Sequence, residues 1–264
     1  MPAVDPAAGA AIAAEAGALA LSRWRGDFRR WDKSPGNPVS EVDLAVDAFL
    51  RERLSALLPA AGWLSEETAD DPARLACAQV WVVDPIDGTR DFIRGRDGWC
   101  VSVALVEDGQ VTLGVLDAPA RGEVWRAAAG EAGWLTRAGK TTRLAVGDRA
   151  ELTGARVPAA SLAKADRLFV AVDQPNSIAL RIAKVAADEA DLVATLRWGH
   201  EWDIAAATLI AQEAGATVTD AGGARILFNK PCPQDFGVAV CSPFLHPTLI
   251  AHLASRAQAT DFNK

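Results

Sequence analysis

Apolar positions along this 264-residue chain change period several times. Ala7 to Arg23 is alanine-rich, with Leu19 and Leu21 near its end, and propensity predicts a helix there. The polar run from Trp31 to Pro38 predicts turns. Ser40 then opens a second helix. Asp43 stands in the fourth place of an S-x-x-D capping box, and Leu44, Ala45, Ala48, Phe49 and Leu54 to Leu58 supply the apolar stripe. Pro59 ends it. Gly62 to Glu67 is a short apolar piece closing on two acids. Val80 to Val83 is an apolar, partly β-branched run that predicts a buried strand. That strand is expected to stop at Asp84-Pro85, because proline brings no N–H to a ladder.

Alternation follows. Cys100 to Glu107 and Val111 to Leu116 flank Asp108-Gly109, a strong hairpin signal, and Glu123 to Ala128 and Gly133 to Leu135 extend the meander. Residues 145–165 carry no clear period. Beyond them, Leu168 to Val172 and Phe236 to Cys241 predict strands. Ser177 to Ala187, Asp203 to Ala214 (closed by Gly215) and Pro247 to Arg256 predict helices. The pattern implies an α+β or layered α/β fold rather than regular βαβ alternation. An N-terminal α+β unit is expected over 1–150 and a C-terminal α/β unit over 151–264.

Composition narrows the function classes. Half the residues are hydrophobic and 23% are charged, as in soluble globular proteins. No stretch approaches a membrane span, and the N-terminus, with Asp5 and Glu15, is unlike a signal peptide, so a cytoplasmic location is expected. A net charge of −7 speaks against nonspecific nucleic-acid binding. Cys77, Cys100, Cys232 and Cys241 form no C-x-x-C pair and are expected to be isolated buried thiols rather than zinc ligands.

The candidate chemistry lies at Asp84-Pro85-Ile86-Asp87-Gly88-Thr89. Two carboxylates converging at a strand end repel each other unless they are protonated, paired with a base or shared by divalent cations. Gly88 permits close backbone approach, and the Gly88 and Thr89 amides face an anion if a helix starts there. An acidic strand-to-helix turn is the plainer alternative. Asp43, Glu66-Glu67 and Asp203 also stand where elements begin or end. Each is explained by capping when taken alone, yet jointly they suit an oxygen-only Mg²⁺ site. His200, three residues before Asp203, either joins the site or bonds the helix start, whereas His246 and His252 suit packing or surface roles. No serine elbow or reactive-cysteine context competes.

Trp81-Val-Val-Asp-Pro-Ile-Asp-Gly-Thr89 and Trp202-Asp203-Ile-Ala-Ala-Ala…Glu213-Ala-Gly resemble the two signatures of the inositol monophosphatase superfamily of Mg²⁺-dependent, lithium-sensitive phosphatases. Glu66-Glu67 resembles the upstream acidic pair, and the order of the matches is the family's. The resemblance implies an αβαβα sandwich with an antiparallel N-terminal sheet and a smaller mixed C-terminal sheet. It further implies that Glu66, Asp84 and the Ile86 carbonyl bind one Mg²⁺ and that Asp84, Asp87 and Asp203 bind a second. A third, weaker ion would lie near Glu66. Thr89 and Asp43 would orient and deprotonate water, with Asp87, Gly88 and Thr89 at the phosphate. Lys33 would sit on a loop that closes the site, and Glu67 behind it.

Arg90-Asp91-Phe92-Ile93 and the later Ala118-Pro119 resemble the 3'(2'),5'-bisphosphate nucleotidase branch. Leu196 stands where inositol phosphatases place a glutamate for ring hydroxyls, and Asn176-Ser177 departs from the usual Gly-Ser. The expected substrate is adenosine 3',5'-bisphosphate, possibly also its sulfated form, linking the enzyme to sulfur metabolism. Arg197 and His200 would meet the second phosphate and Trp198 a base. Arg197 as a solvated charge and Trp198 as a core filler are the alternatives. Inositol-1-phosphate or histidinol phosphate is the alternative substrate, an inactive regulatory module the non-enzymatic alternative, and a homodimer a possible assembly.

Overall fold

Two helices and a hairpin precede the main sheet. α1 (Pro6–Arg23) is capped by Asp5, whose carboxylate accepts from the Ala7 amide. The computed structural model describes residues 5–163 and 166–261. The segment expected to be turns is instead a hairpin of β1 (Arg30–Ser34) and β2 (Asn37–Ser40), turning at Pro35-Gly36. Every β1 residue is exposed, so the pattern carried no alternation to betray the strand. α2 (Glu41–Leu57) starts on the expected capping box, with Ser40 and Asp43 bonding reciprocally.

The large sheet has the order β3 (Gly62–Ser65), β4 (Gln79–Asp87), β5 (Cys100–Glu107), β6 (Gln110–Ala118), β7 (Glu123–Ala128), β8 (Trp134–Arg137), β9 (Lys140–Arg143). Only β3 and β4 run parallel. All nine β4 residues are buried because both faces are covered. Trp81 and Val83 face α1 and α2, while Val80 and Val82 belong to the opposite core with α4 (Ile178–Ala186) and α5 (Glu201–Glu213). β4 does not stop at Pro85. Its register with β5 slips between Asp84 and Asp87, so proline sits in an irregularity where the missing donor breaks no regular ladder. The short α3 (Thr89–Ile93) follows directly.

α5 approaches the sheet through alanines. Gly114 on β6 faces it so closely that a Cβ there would lie 2.6 Å from the Ala206 carbonyl oxygen. Beyond the irregular stretch (of which 164 and 165 lie outside the described residues), β10 (Arg156–Pro158) and β11 (Val170–Val172) pair in parallel. β12 (Leu192–Ala194), β16 (Ala239–Cys241) and β14 (Thr217–Thr219) form an antiparallel sheet in that order. The Asp191 amide donating to the Arg156 carbonyl links the two groups into a mixed layer. The single strand expected over 236–241 is two: β15 (Gln234–Phe236) pairs with β13 (Trp198–His200), and β16 joins the other sheet. Gly237, with φ of 72°, is where the chain leaves one sheet for the other. α6 (His246–Asp261) closes the described chain.

The cysteines are free, but only Cys100 and Cys241 are buried. Cys232 is exposed, which corrects the expectation of four buried thiols. No helix among the described residues is long and apolar enough to cross a membrane. The Gly114–Ala206 contact predicts that Gly114→Ala destabilises the protein by about 1–3 kcal/mol through overpacking. A urea midpoint that stays at the wild-type value would show that α5 has room to move.

Candidate active site

Each acidic side chain singled out above sits at the end of an element. Glu66 and Glu67 follow β3, and Asp84 and Asp87 flank the β4 irregularity. Asp43 and Asp203 hold the N3 positions of α2 and α5. One cleft of about 250 Å³ is lined by Glu66, Asp84, Ile86, Asp87, Gly88, Thr89, Arg197, His200 and Asp203 together. Arg90, Asn176, Ile178, Trp202, Asn37 and Pro38 complete the walls, and of these Ile178, Asn37 and Pro38 had no site role in the sequence reading. The structure does not bring Glu67 into this wall. Its carboxylate turns to Lys33, whose ammonium donates to Glu66 Oε1 at 2.8 Å and to Glu67 Oε1 at 2.9 Å.

The carboxylates are held by one oxygen and open at the other. Asp84 Oδ1 accepts from the Ile86 amide (3.0 Å), and Asp203 Oδ2 accepts from the His200 amide (3.0 Å). Asp87 Oδ2 accepts from Ser177 Oγ (2.5 Å) and the Ala179 amide (2.8 Å). Glu66 Oε1 meets Lys33. The remaining oxygens of these four groups make no protein hydrogen bond among the described residues. They line an open cleft, and no three acidic, histidine or cysteine side chains among the described residues close into a cage. An all-oxygen donor set with open valences suits a hard divalent cation such as Mg²⁺.

Electrostatics agree with that fit. Burial, then the charges of Glu66, Asp87 and Asp203, push Asp84 well above the usual carboxylate range. Burial raises Asp87 to about 6 against the hydrogen bonds from Ser177 and Ala179. Burial and the neighbouring Asp87 charge raise Asp203 to about 7. Burial likewise lifts Glu67 to about 7, against its contact with Lys33. Lys33 is pulled down by burial, but its two carboxylate partners outweigh this and leave it raised.

Thr89 stands beside this set. Its hydroxyl lies 3.2 Å from Asp43 Oδ1 and 3.0 Å from the Ile86 carbonyl, and its single proton serves one of them at a time. Asp43 Oδ2 is occupied by Ser40, and burial raises its pKa. Gly88, with φ of 98°, starts α3. A Cβ there would lie 2.6 Å from the Gly98 carbonyl oxygen and 3.0 Å from the Ser177 amide, so only glycine fits. The Gly88 and Thr89 amides, at the helix start, have no intrahelical acceptor.

The rim departs from expectation in one respect. Trp198 is 65% exposed and packs edge-on against Phe236, so it is no core filler. Arg197 is exposed at the cleft. The His200 ring stacks on Trp202 at 4.4 Å and bonds Gln234 through Nε2, and burial lowers its pKa. Ser177, read from the sequence only as a helix start and as part of Asn176-Ser177, proves to hold Asp87. Its signal was the N-cap position of α4, where Oγ accepts from the Leu180 amide while donating to Asp87.

A layered α/β chain with an oxygen-lined cleft and a helix start beside it has the makings of a phosphatase. The inositol monophosphatase family model matches residues 3–258, and the chain belongs to that family. It is 32% identical over 208 residues to the 3'(2'),5'-bisphosphate nucleotidase CysQ of Aggregatibacter actinomycetemcomitans, covering 75% of this chain and 77% of that one. It is also 32% identical over 209 residues to the histidinol-phosphatase of Mycobacterium tuberculosis, covering 75% and 79%. The solved Thermotoga maritima IMPase superposes with a TM-score of 0.78 at 25% identity, over 95% of this chain and 96% of that one.

The raised carboxylates make stability depend on pH. A folded pKa above the unfolded value means that the native state holds protons the unfolded chain releases. The stabilisation is therefore complete below pH 4 and lost as pH rises through 6–7. In EDTA the protein should be more stable at pH 5 than at pH 8, and Asp203→Asn should flatten that slope by about 1–2 kcal/mol. Guanidinium unfolding at the two pH values reads this, and an unchanged slope in the variant would contradict it.

Proposed function

We propose that this phosphatase hydrolyses the 3'-phosphate of adenosine 3',5'-bisphosphate with Mg²⁺ bound in the carboxylate cleft. The observation that carries the proposal is the set of open oxygens on Glu66, Asp84, Asp87 and Asp203, beside the Thr89–Asp43 pair. Glu66, Asp84 and the Ile86 carbonyl would hold one ion, and Asp84, Asp87 and Asp203 a second. When bound, such ions lower the pKa of water and offset charge on phosphoryl oxygens. Asp43, raised in pKa and touching Thr89, accepts the water's proton through the threonine hydroxyl. The Gly88 and Thr89 amides hold phosphate oxygens at the start of α3. Ser177 and the Ala179 amide fix the Asp87 carboxylate. Lys33 ties the β1–β2 hairpin down over Glu66. Water takes the place of the departing 3'-oxygen on phosphorus, and no covalent phosphoenzyme forms.

The nucleotide reading is supported by Arg90-Asp91-Phe92 after the motif, by Leu196 in place of a hydroxyl-binding acid, and by the CysQ relative. Histidinol phosphate is the second reading, favoured by a relative of equal identity.

Phosphate release should vanish in EDTA, return with Mg²⁺ and fall with Li⁺. Activity surviving EDTA, or surviving Asp87→Asn, would sink the mechanism. Thr89→Ala should lower kcat about 10²–10³-fold while changing the Mg²⁺ requirement little, in line with losing a group that acts on the attacking water. Comparison of kcat/KM across adenosine 3',5'-bisphosphate, inositol-1-phosphate and histidinol phosphate decides the substrate. A higher value for either of the others would overturn the nucleotide assignment.

A further inference from the structure

One buried carboxylate takes no part in the chemistry proposed above. Asp47, on α2, makes no ion pair among the described residues, although it is buried. Its two oxygens accept hydroxyls instead: Oδ1 from Ser65 Oγ at 2.5 Å and Oδ2 from Thr68 Oγ1 at 2.6 Å. Those residues stand on either side of Glu66-Glu67. A single side chain of α2 therefore grips both ends of the segment that leaves β3 and carries the cleft's glutamate. Asp47 also lies one turn after Asp43, and residues four apart share a helix face. That face of α2 holds Asp43 against Thr89 and Asp47 against the Glu66 segment.

Glu66 needs such support. Glutamate has a longer, freer stem than aspartate, and its ion pair here is with Lys33 on the exposed hairpin. Its main chain must hold it instead. The Glu66 amide donates to the Val83 carbonyl at 3.3 Å, next to Asp84. The Glu67 amide donates to Ser65 Oγ at 3.4 Å, and that hydroxyl in turn donates to Asp47. Two short bonds from Asp47 thus fix the backbone around Glu66. A buried charge matched only by hydroxyls costs stability that a neutral or apolar contact would spare. The arrangement suits a task that depends on where Glu66 stands.

We propose that Asp47 is a positioning residue, which sets the place of Glu66 relative to Asp43 and Thr89. The cation ligand and the proton acceptor are then spaced by one helix rather than by a loop. This rests on the divalent-cation reading of the cleft and adds a residue that is not in the cleft's wall. Asp47 acts only through Ser65 and Thr68.

The test compares Asp47→Ala and Asp47→Asn with wild type. An asparagine amide accepts from one hydroxyl and donates to the other, so it keeps both contacts without the charge. Mn²⁺ binding, read by electron paramagnetic resonance, should weaken about tenfold at one ion in Asp47→Ala and be largely restored in Asp47→Asn. The Mg²⁺ concentration for half-maximal phosphate release should rise by the same factor, with KM for the phosphate ester within about twofold of wild type. In EDTA, amide hydrogen exchange over residues 65–68 should quicken in the alanine variant and stay slow in the asparagine variant. Thr68→Val removes one bond at a half-buried position and carries the test if Asp47→Ala does not fold. Its Mn²⁺ affinity should fall about threefold or more. Wild-type Mn²⁺ affinity in folded Asp47→Ala, or in Thr68→Val, overturns the proposal. So does a lowered Tm with an unchanged Mg²⁺ requirement, which leaves Asp47 a structural staple, and so does Asp47→Asn as impaired as Asp47→Ala. A wild type that binds no Mn²⁺ refutes the cation reading of the cleft instead.

Discussion

Carboxylates forced together in a buried cleft repel one another, and this repulsion organises the molecule. Asp84 is nearly inaccessible and has Glu66, Asp87 and Asp203 as electrostatic neighbours, which holds its proton well above the usual range. A fold selected for stability alone would disperse such charges or pair them. Among the described residues, Glu66 is the one of these four that makes an ion pair, with Lys33, and that partner is on the exposed hairpin rather than in the core. The main sheet, with its two helical faces, supplies the rigidity that keeps the remaining groups close.

How that rigidity is built explains the division of labour among residues. The β4 irregularity turns Asp84 and Asp87 toward one volume, Asp203 in the α5 capping box lines the same volume, and Asp43 in the α2 capping box touches Thr89 on its wall. In each capping box one oxygen serves the helix end. Asp203 keeps its other oxygen open, and Asp43 turns its other one to Thr89. Capping and candidate chemistry are therefore carried by the same side chain, so the plain structural explanation of these acids and the functional one hold together. Ser177 does the same from α4, capping the helix and orienting Asp87 in a single hydrogen-bond chain.

The Ser40–Asp43 capping box and the β5–β6 hairpin were legible in the sequence because each is a local pattern with a fixed spacing, whereas α5 starts two residues before the expected Asp203, capped from His200. The β1–β2 hairpin was not, since an exposed strand has no alternation to read. The continuation of β4 through Pro85 was hidden because the slip depends on the partner strand. Gly237 sends two adjacent strands into different sheets, which no apolar run announces. For the site, the acids were visible as element ends. Asn37 and Pro38 reach the cleft, and Ser177 reaches Asp87 behind it, only through tertiary packing, and the core-filler alternative for Trp198 falls because the fold leaves it in solvent.

The central claim is that the open carboxylate oxygens constitute a divalent-cation site, and direct ion binding tests it most simply. Mn²⁺ titrated into metal-free protein, followed by electron paramagnetic resonance with Mg²⁺ as competitor, should show at least two ions bound per chain. One of them should be lost in Asp203→Asn, a variant that leaves Glu66 and Asp84 in place. Stoichiometry that is unchanged in this variant, or wild-type protein that binds no Mn²⁺, would contradict the account.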